Sequence, residues 1–288
     1  MGKTAIFTPM PAPTDIDEMT TVRTLACGEG WRMEEVTCRA GPGGAAYEER
    51  HGWVSIAAVL SGTFTYRSDR GRALLAPGAL LLGNVGSCFQ CGHDHAAGDR
   101  CIAFHLAPEL VEQVAGSLKG ARRANFAAVS IPPLETLLPL FSSVRTSGDY
   151  EGLTLEVAAT ALALDQDAAT RPASAAELAR ASASARIIEA RYTEPLTVAS
   201  LAREIGLSPR RFATAFREGL GVTPYNYILR HRLDAAARRL VEGAEPVLDI
   251  ALDVGFGDLS EFTRRFRDRF GLPPAAFRRS YGGARSRL

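Results

Sequence analysis

Two groups of residues in this chain have types and spacings suited to chemistry. The first is Cys88-Phe-Gln-Cys91-Gly-His93-Asp-His95, with Cys101 and His105 close downstream. Thiolate and imidazole are ligands that zinc prefers, four to an ion in tetrahedral sites. Cys-x-x-Cys is also a natural chelate spacing. Cys88, Cys91, His93 and His95 are therefore the candidate metal ligands and zinc the candidate cofactor. Two other readings compete with this one. The cysteines can simply pack, since Cys is among the most buried residue types, with His93 and His95 in an exposed loop. Alternatively, Cys88 and Cys91 act as a redox thiol pair. His51 and Trp53 are a lesser candidate for a ligand-pocket lining, because a lone His beside a strand more often has a structural role.

The second group is a repeat. LAREIGLSPRRFATAFREGLGVTP (201–224) and IALDVGFGDLSEFTRRFRDRFGLPP (250–274) follow one plan. Each opens on an apolar residue and Ala, Leu201-Ala202 and Ile250-Ala251. Each has a turn Gly, Gly206 and Gly255, and a Phe pair four apart, Phe212/Phe216 and Phe262/Phe266. Each ends with Gly and then Pro three residues on, with one extra residue in the second turn. A short helix stopped by Gly is followed by a helix that Ser208 can cap, with Pro209 in its first turn. Phe residues four apart share the buried face. The opposite faces then carry Arg210, Arg211, Thr214 and Arg217 in the first unit, and Ser260, Glu261, Arg264 and Arg267 in the second. This is the layout of a helix-turn-helix, where one helix supports and the other offers polar side chains to a major groove. Between the repeats, PYNYILRHRLDAAARRLVEG (224–243) reads as one helix of roughly 28 Å. That length suits two recognition helices set about one DNA turn, ~34 Å, apart.

The charge distribution points the same way. The whole chain carries only +1. Residues 178–288 contain 19 Arg, no Lys and 12 acidic residues, a net +7, and the remainder carries −6. A basic part tied to an acidic one suggests a polyanion-binding domain joined to something else. With 288 residues, 46% of them hydrophobic, the chain can form two cores. It has no apolar run of ~18 residues and no secretory pattern at the N-terminus, so a cytoplasmic protein with no membrane partner is expected. Five cysteines, an odd number, argue against a disulfide framework.

The elements that must position these groups change character along the chain. Residues 1–20 form a loose, Pro-rich lead-in. From 21 to 107, runs such as WVSIAAVLSG (53–62), TFTYRS (63–68), RALLAPG (72–78), ALLLGN (79–84) and CIAFHL (101–106) read as short strands, with SGTF and SDRG as tight turns. Such strands suggest a sandwich or barrel. Helices are predicted over 107–120, 132–145 and 152–166, within a helical segment 108–168 whose apolar faces offer a dimer contact. Residues 169–179 form a linker and 180–285 are helical.

Residues 180–285 resemble the DNA-binding domain of the AraC/XylS family. The resemblance is carried by SLAREIGLSPRRFATAFREGLGVTPYNYILRHRLDAAARRL and DIALDVGFGDLSEFTRRFRDRFGLPPAAFRR, and covers over a third of the chain. It implies DNA contacts from Arg210, Arg211, Ala213 and Thr214 on one recognition helix, and from Leu259, Ser260, Glu261 and Arg264 on the other. Ala213 and Leu259 can at most touch a thymine methyl. It also implies an N-terminal cupin-like sensor barrel that dimerises through helices. RALLAPGALLLGN (72–84) is then similar to a cupin Pro-Gly strand turn. The fold expected is α+β in two domains: a cupin-like β-barrel with following helices, then an all-α double helix-turn-helix. The function expected is a transcription regulator, either activator or repressor, and not an enzyme. Its expected partners are double-stranded DNA, an unknown small-molecule effector or a metal or redox signal, a second copy of the chain and, for an activator, RNA polymerase. The rival is a cupin-type metalloenzyme with an accessory helical domain. Against it, no His-x-His pair followed by Glu stands near His51.

Overall fold

The computed structural model describes residues 19–41, 48–93, 98–118, 123–133, 148–167 and 175–282. Contacts divide the chain into two compact units, residues 1–182 with 218–221, and residues 183–217 with 222–288. The first is rich in strands and the second is helical, as an α+β chain of two domains requires. The loose N-terminal segment up to residue 18, all but the first two residues of the helix expected over 132–145 and most of the linker lie outside the described residues.

The first unit contains β1 (Thr20–Gly28), β2 (Trp31–Cys38), β3 (Glu48–Arg50), β4 (Val54–Ser61), β5 (Phe64–Ser68), β6 (Gly71–Leu75), β7 (Leu80–Gly83), β8 (Cys88–Gly92), β9 (Asp99–Leu106), α1 (Pro108–Ser117), β10 (Ser130–Ile131) and α2 (Tyr150–Asp167). The strands form two antiparallel sheets, ordered β1-β2-β9-β4-β7-β10 and β3-β8-β5-β6. No ladder joins them among the described residues, so the expected closed barrel is instead a pair of open sheets. The Pro77-Gly78 turn is one reason. It does not close a hairpin. It carries the chain from β6 in the small sheet to β7 in the large one, with Gly78 N donating to the Val59 carbonyl at 2.8 Å. SGTF likewise passes between sheets. SDRG alone makes a hairpin, where Ser68 pairs with Gly71 across Asp69-Arg70.

Strand alternation assigns the two faces of the large sheet. Trp31, Met33, Ile56, Ala58, Leu82, Ile102, Phe104 and Leu106 pack with Val111, Val114 and Ala115 of α1 and Leu153, Val157, Ala161 and Leu162 of α2. The described apolar faces of α1 and α2, within the segment expected to offer a dimer contact, pack inside this unit. The opposite face, with Val59, Leu81 and Cys101, meets Phe64, Tyr66 and Leu75 of the small sheet. Residues 126–131 are held by Arg70, whose guanidinium donates to the carbonyls of Phe126 at 2.7 Å, Ala128 at 2.9 Å and Leu82 at 3.0 Å. The buried Asp165 carboxylate accepts from the Ala127 and Ala128 amides, both at 2.7 Å.

The helical part contains α3 (Ala175–Arg191), α4 (Val198–Glu204), α5 (Pro209–Leu220), α6 (Pro224–Glu242), α7 (Val247–Asp253), α8 (Leu259–Phe270) and α9 (Pro274–Tyr281). Helices α4–α5 and α7–α8 are the two repeats, joined by the 19-residue α6. Around the second repeat, Leu233, Ala236 and Leu240 of α6 pack with Ile250, Ala251, Val254, Phe256, Phe262, Phe266 and Phe277.

Candidate functional site

The sequence-predicted recognition helices are built by local chemistry. Thr197 caps α4 in a reciprocal box with Ser200, each side chain serving the other's backbone amide at 3.0 Å. Left-handed Gly206 (φ 73°) and Gly255 (φ 95°) make the two turns. Ser208 accepts from the Arg211 amide at 3.5 Å. Asp258, a cap that the sequence reading did not single out, accepts from the Glu261 amide at 2.8 Å and opens α8. Phe212 and Phe216 are both 1% exposed, and Phe262 and Phe266 0%. The opposite faces leave Arg210, Arg211, Thr214 and Arg217 of α5, and Ser260, Glu261, Arg264 and Arg267 of α8, all exposed.

Charges on α8 are partly engaged: Glu261 lies 3.7 Å from Arg265, and Arg264 lies 3.8 Å from Asp268. Leu259 is 38% exposed at the start of the helix. Two arginines of the framework also serve this face. Arg269 of α8 grips the Asp234 carboxylate of α6 with two nitrogens, at 2.8–3.0 Å. Arg232 of α6 donates to the carbonyls of Tyr192 at 2.7 Å, Glu194 at 2.7 Å and Gly255 at 2.8 Å. A Cβ on Gly255 would stand 2.9 Å from the Arg232 guanidinium carbon and 2.8 Å from the Thr193 carbonyl. The second turn is therefore fitted to Arg232. No sequence signal set Arg232 apart from the other arginines of its helix.

The first unit has a polar interior between its sheets. Arg32, Glu34 and Cys38 of β2 alternate toward the small sheet, as do Asp99, Cys101 and His105 of β9 and Ser55 of β4. Arg32 Nε lies 2.9 Å from Glu34, whose other oxygen lies 3.3 Å from His105 Nε2. His105 Nδ1 meets Ser55 Oγ at 3.0 Å. Burial works against the Glu34 charge, but the hydrogen bond and charge of His105, with Arg32, hold its carboxyl below the usual range. His51 is buried, shares a 3.0 Å hydrogen bond with Tyr66 OH and stacks on Phe89 at 4.1 Å. Burial, then the charges of His105 and Arg70, push its ring down to about 3. Burial pushes the Tyr66 hydroxyl up. His51 is thus a neutral, packed side chain. The Trp53 indole N–H is buried and finds no partner among the described residues.

The metal-type residues fall differently from the sequence expectation. Cys88 and Cys91 lie three apart on β8, so they face opposite sides of the sheet and do not chelate as they would on a turn. His95 lies outside the described residues. His93 is placed instead between Cys38 and Asp99: Nδ1 is 3.9 Å from Cys38 Sγ and Nε2 is 2.5 Å from Asp99 Oδ1. The Cys101 thiol donates to Asp99 Oδ2 at 3.2 Å. The Asp99 hydrogen bond, with Cys38, draws the His93 ring up to about 10. Burial raises the Cys91 and Cys101 thiols. Cys38 and Asp99 escaped the sequence reading because they come from β2 and β9, and only sheet register brings them together.

Residues 201–280 match the family model of the helix-turn-helix domain. This region is an AraC-type helix-turn-helix domain. Among relatives, the virulence regulon transcriptional activator VirF of Yersinia enterocolitica is 31% identical over 93 residues, covering 32% of this chain and 34% of its own. The HTH-type transcriptional regulator ArgR of Pseudomonas aeruginosa is 31% identical over 88 residues, covering 31% of this chain and 27% of its own. A solved transcriptional regulator from Chromobacterium violaceum with an AraC-type DNA-binding domain is 26% identical over 38% of this chain and 99% of its own, with a TM-score of 0.36. The chain thus matches about a third or less of the length of these two curated relatives. Among the described residues, no helix is long and apolar enough to cross a membrane.

Proposed function

We propose that this protein is a sequence-specific DNA-binding transcription regulator, with residues 180–285 as its DNA-reading domain. The observation that carries the reading is the duplicated helix pair. In both copies a phenylalanine face is buried and the opposite face presents arginine and short polar groups. Helices α5 and α8 are the two recognition helices. Arg210, Arg211, Arg217, Arg264 and Arg267 supply phosphate neutralisation and bidentate guanine contacts, and Thr214 and Ser260 supply hydroxyls. Leu259 is available to a thymine methyl. Glu261, already near Arg265, can accept from a cytosine amino group.

The first unit is the sensor. Between its sheets, β2, β4 and β9 carry an Arg32–Glu34–His105–Ser55 chain beside the small Ala57 and Ala103, and the buried Trp53 indole N–H has no partner among the described residues. Those features suit a small polar effector held by a few directed groups in an otherwise apolar surround.

Operator selection from random duplexes, followed by binding titrations, tests the DNA reading. Wild-type affinity should fall steeply with salt, as several phosphate contacts require. Arg264→Ala should weaken the selected site by about 1–3 kcal/mol more than random DNA if it reads a base. Equal losses on both duplexes would make Arg264 a phosphate contact. A protein that enriches no duplex would overturn the proposal.

A further inference from the structure

We propose that Cys38, His93 and Asp99 form a binding site for one soft divalent cation of the zinc class, inside the strand-rich unit. The site differs from the Cys-x-x-Cys chelate that the sequence suggests, and it does not depend on the DNA-reading proposal.

Three observations carry it. First, one ligand atom from each residue lies within 4.8 Å of the other two. Tetrahedral zinc, with bonds of ~2.0–2.3 Å, separates its ligands by roughly 3.3–3.8 Å. The 3.9 Å from His93 Nδ1 to Cys38 Sγ is already near that spacing, whereas the 2.5 Å His93–Asp99 hydrogen bond has to open as the ion displaces its proton. Cys38 and Asp99 can adjust by side-chain rotation, because their strands pair directly at that position.

Second, the donor set fits the charge of the ion. Once the ion has displaced the protons of His93 and Cys38, one thiolate, one carboxylate and one neutral imidazole balance a divalent cation. The cluster is also sheltered, with the His93 and Asp99 side chains only 5% and 8% exposed. Charges taken out of water need such a counter-charge. A thiolate beside an imidazole favours zinc over calcium or magnesium, which take oxygen ligands.

Third, the surroundings orient the ligands. Asp99 receives the Cys101 thiol at 3.2 Å through the oxygen that does not face His93. Phe64 stands against the His93 ring, with centroids 5.9 Å apart. Supporting contacts of this kind fix the ligands of protein metal sites. Three protein ligands leave a fourth position, the arrangement of sites that admit water or an exogenous ligand.

The test uses the full chain, purified reduced and without chelator. Elemental analysis should find about one zinc per chain. After stripping, titration with Co2+ should produce the absorption of a thiolate-to-cobalt bond. Cys38→Ser should abolish that absorption, and Asp99→Asn should weaken Co2+ binding at least tenfold. Cys88→Ser, on the opposite face of β8, should change neither stoichiometry nor spectrum. Fluorescence of Trp31 and Trp53, the only two tryptophans and both in this unit, reports whether each variant is folded. If Cys38→Ser does not fold, Asp99→Asn and Cys88→Ser decide between the two ligand sets. Loss of the cobalt signal in Cys88→Ser would restore the Cys-x-x-Cys chelate and overturn the proposal. A wild-type protein that takes up neither zinc nor cobalt would overturn it as well, and peroxide oxidation of Cys38 in such a protein would mark a thiol sensor instead.

Discussion

Replacing His51 by Gln should remove most of the acid sensitivity that this one residue gives the strand-rich unit. The ring is buried and stacked on Phe89, and its proton affinity is pushed down from the ordinary 6.5 to about 3. The folded protein therefore holds His51 neutral, while the unfolded chain takes up a proton below pH 6.5. Stability from this group is complete above pH 6.5 and is lost progressively as the pH falls from 6.5 towards 3. At 1.36 kcal/mol per unit, lowering the pH from 7 to 5 costs about 2 kcal/mol. For a unit of this size that lowers the melting temperature by roughly 4–8 °C. Because both tryptophans, Trp31 and Trp53, belong to this unit and are buried, urea unfolding followed by their fluorescence reads it selectively. Other titrating groups are common to wild type and His51→Gln and cancel in the difference. Gln keeps an amide within reach of Tyr66, so its constant cost at pH 7 is subtracted by comparing slopes. Wild type should lose about 2 kcal/mol more than the variant between pH 7 and 5. Equal losses in the two proteins would refute the idea of a neutral, desolvated ring.

Two further changes probe the framework. Gly83→Ala would place a Cβ 2.4 Å from His51 Nε2, and the ring is held by Phe89 and Tyr66, so a loss of about 1–3 kcal/mol is expected. Tryptophan-monitored unfolding of Gly83→Ala alone and combined with His51→Ala checks this, because removing the ring should recover much of the loss. Arg232→Lys keeps the charge but cannot bond three carbonyls with one planar fork. It should destabilise the helical part by about 2–4 kcal/mol, seen as a lower-temperature helix transition by circular dichroism with the tryptophan transition unmoved. A shift confined to the tryptophan signal would contradict that assignment.

The helical part was legible in the sequence because its determinants are local. Phe212/Phe216 and Phe262/Phe266 lie four apart, which alone puts each pair on one helix face. Gly206 and Gly255 mark turns by a conformation that Gly adopts without penalty. Arg210, Arg211, Thr214, Arg217, Ser260, Glu261, Arg264 and Arg267 then had to point outward, and they do. The long α6 and the one-residue difference between the two turns were also visible, since helix limits follow from Pro, Gly and capping hydroxyls nearby in the chain.

What the tertiary structure alone decided is which distant residues meet. Sequence proximity favoured Cys88 with Cys91, but a strand sends residues three apart to opposite faces. Register between β2 and β9, which pairs Cys38 with Asp99 across 61 positions, created the grouping with His93 instead. The Pro77-Gly78 turn resembled that of a cupin strand pair, and only the pairing of β6 and β7 with different partners showed two open sheets. Arg232 could not be told from its neighbours until α6 lay against the Tyr192, Glu194 and Gly255 carbonyls. A helix period or a cap is fixed within a few residues, whereas strand register and side-chain convergence depend on which strands pair, and that is a property of the assembled fold.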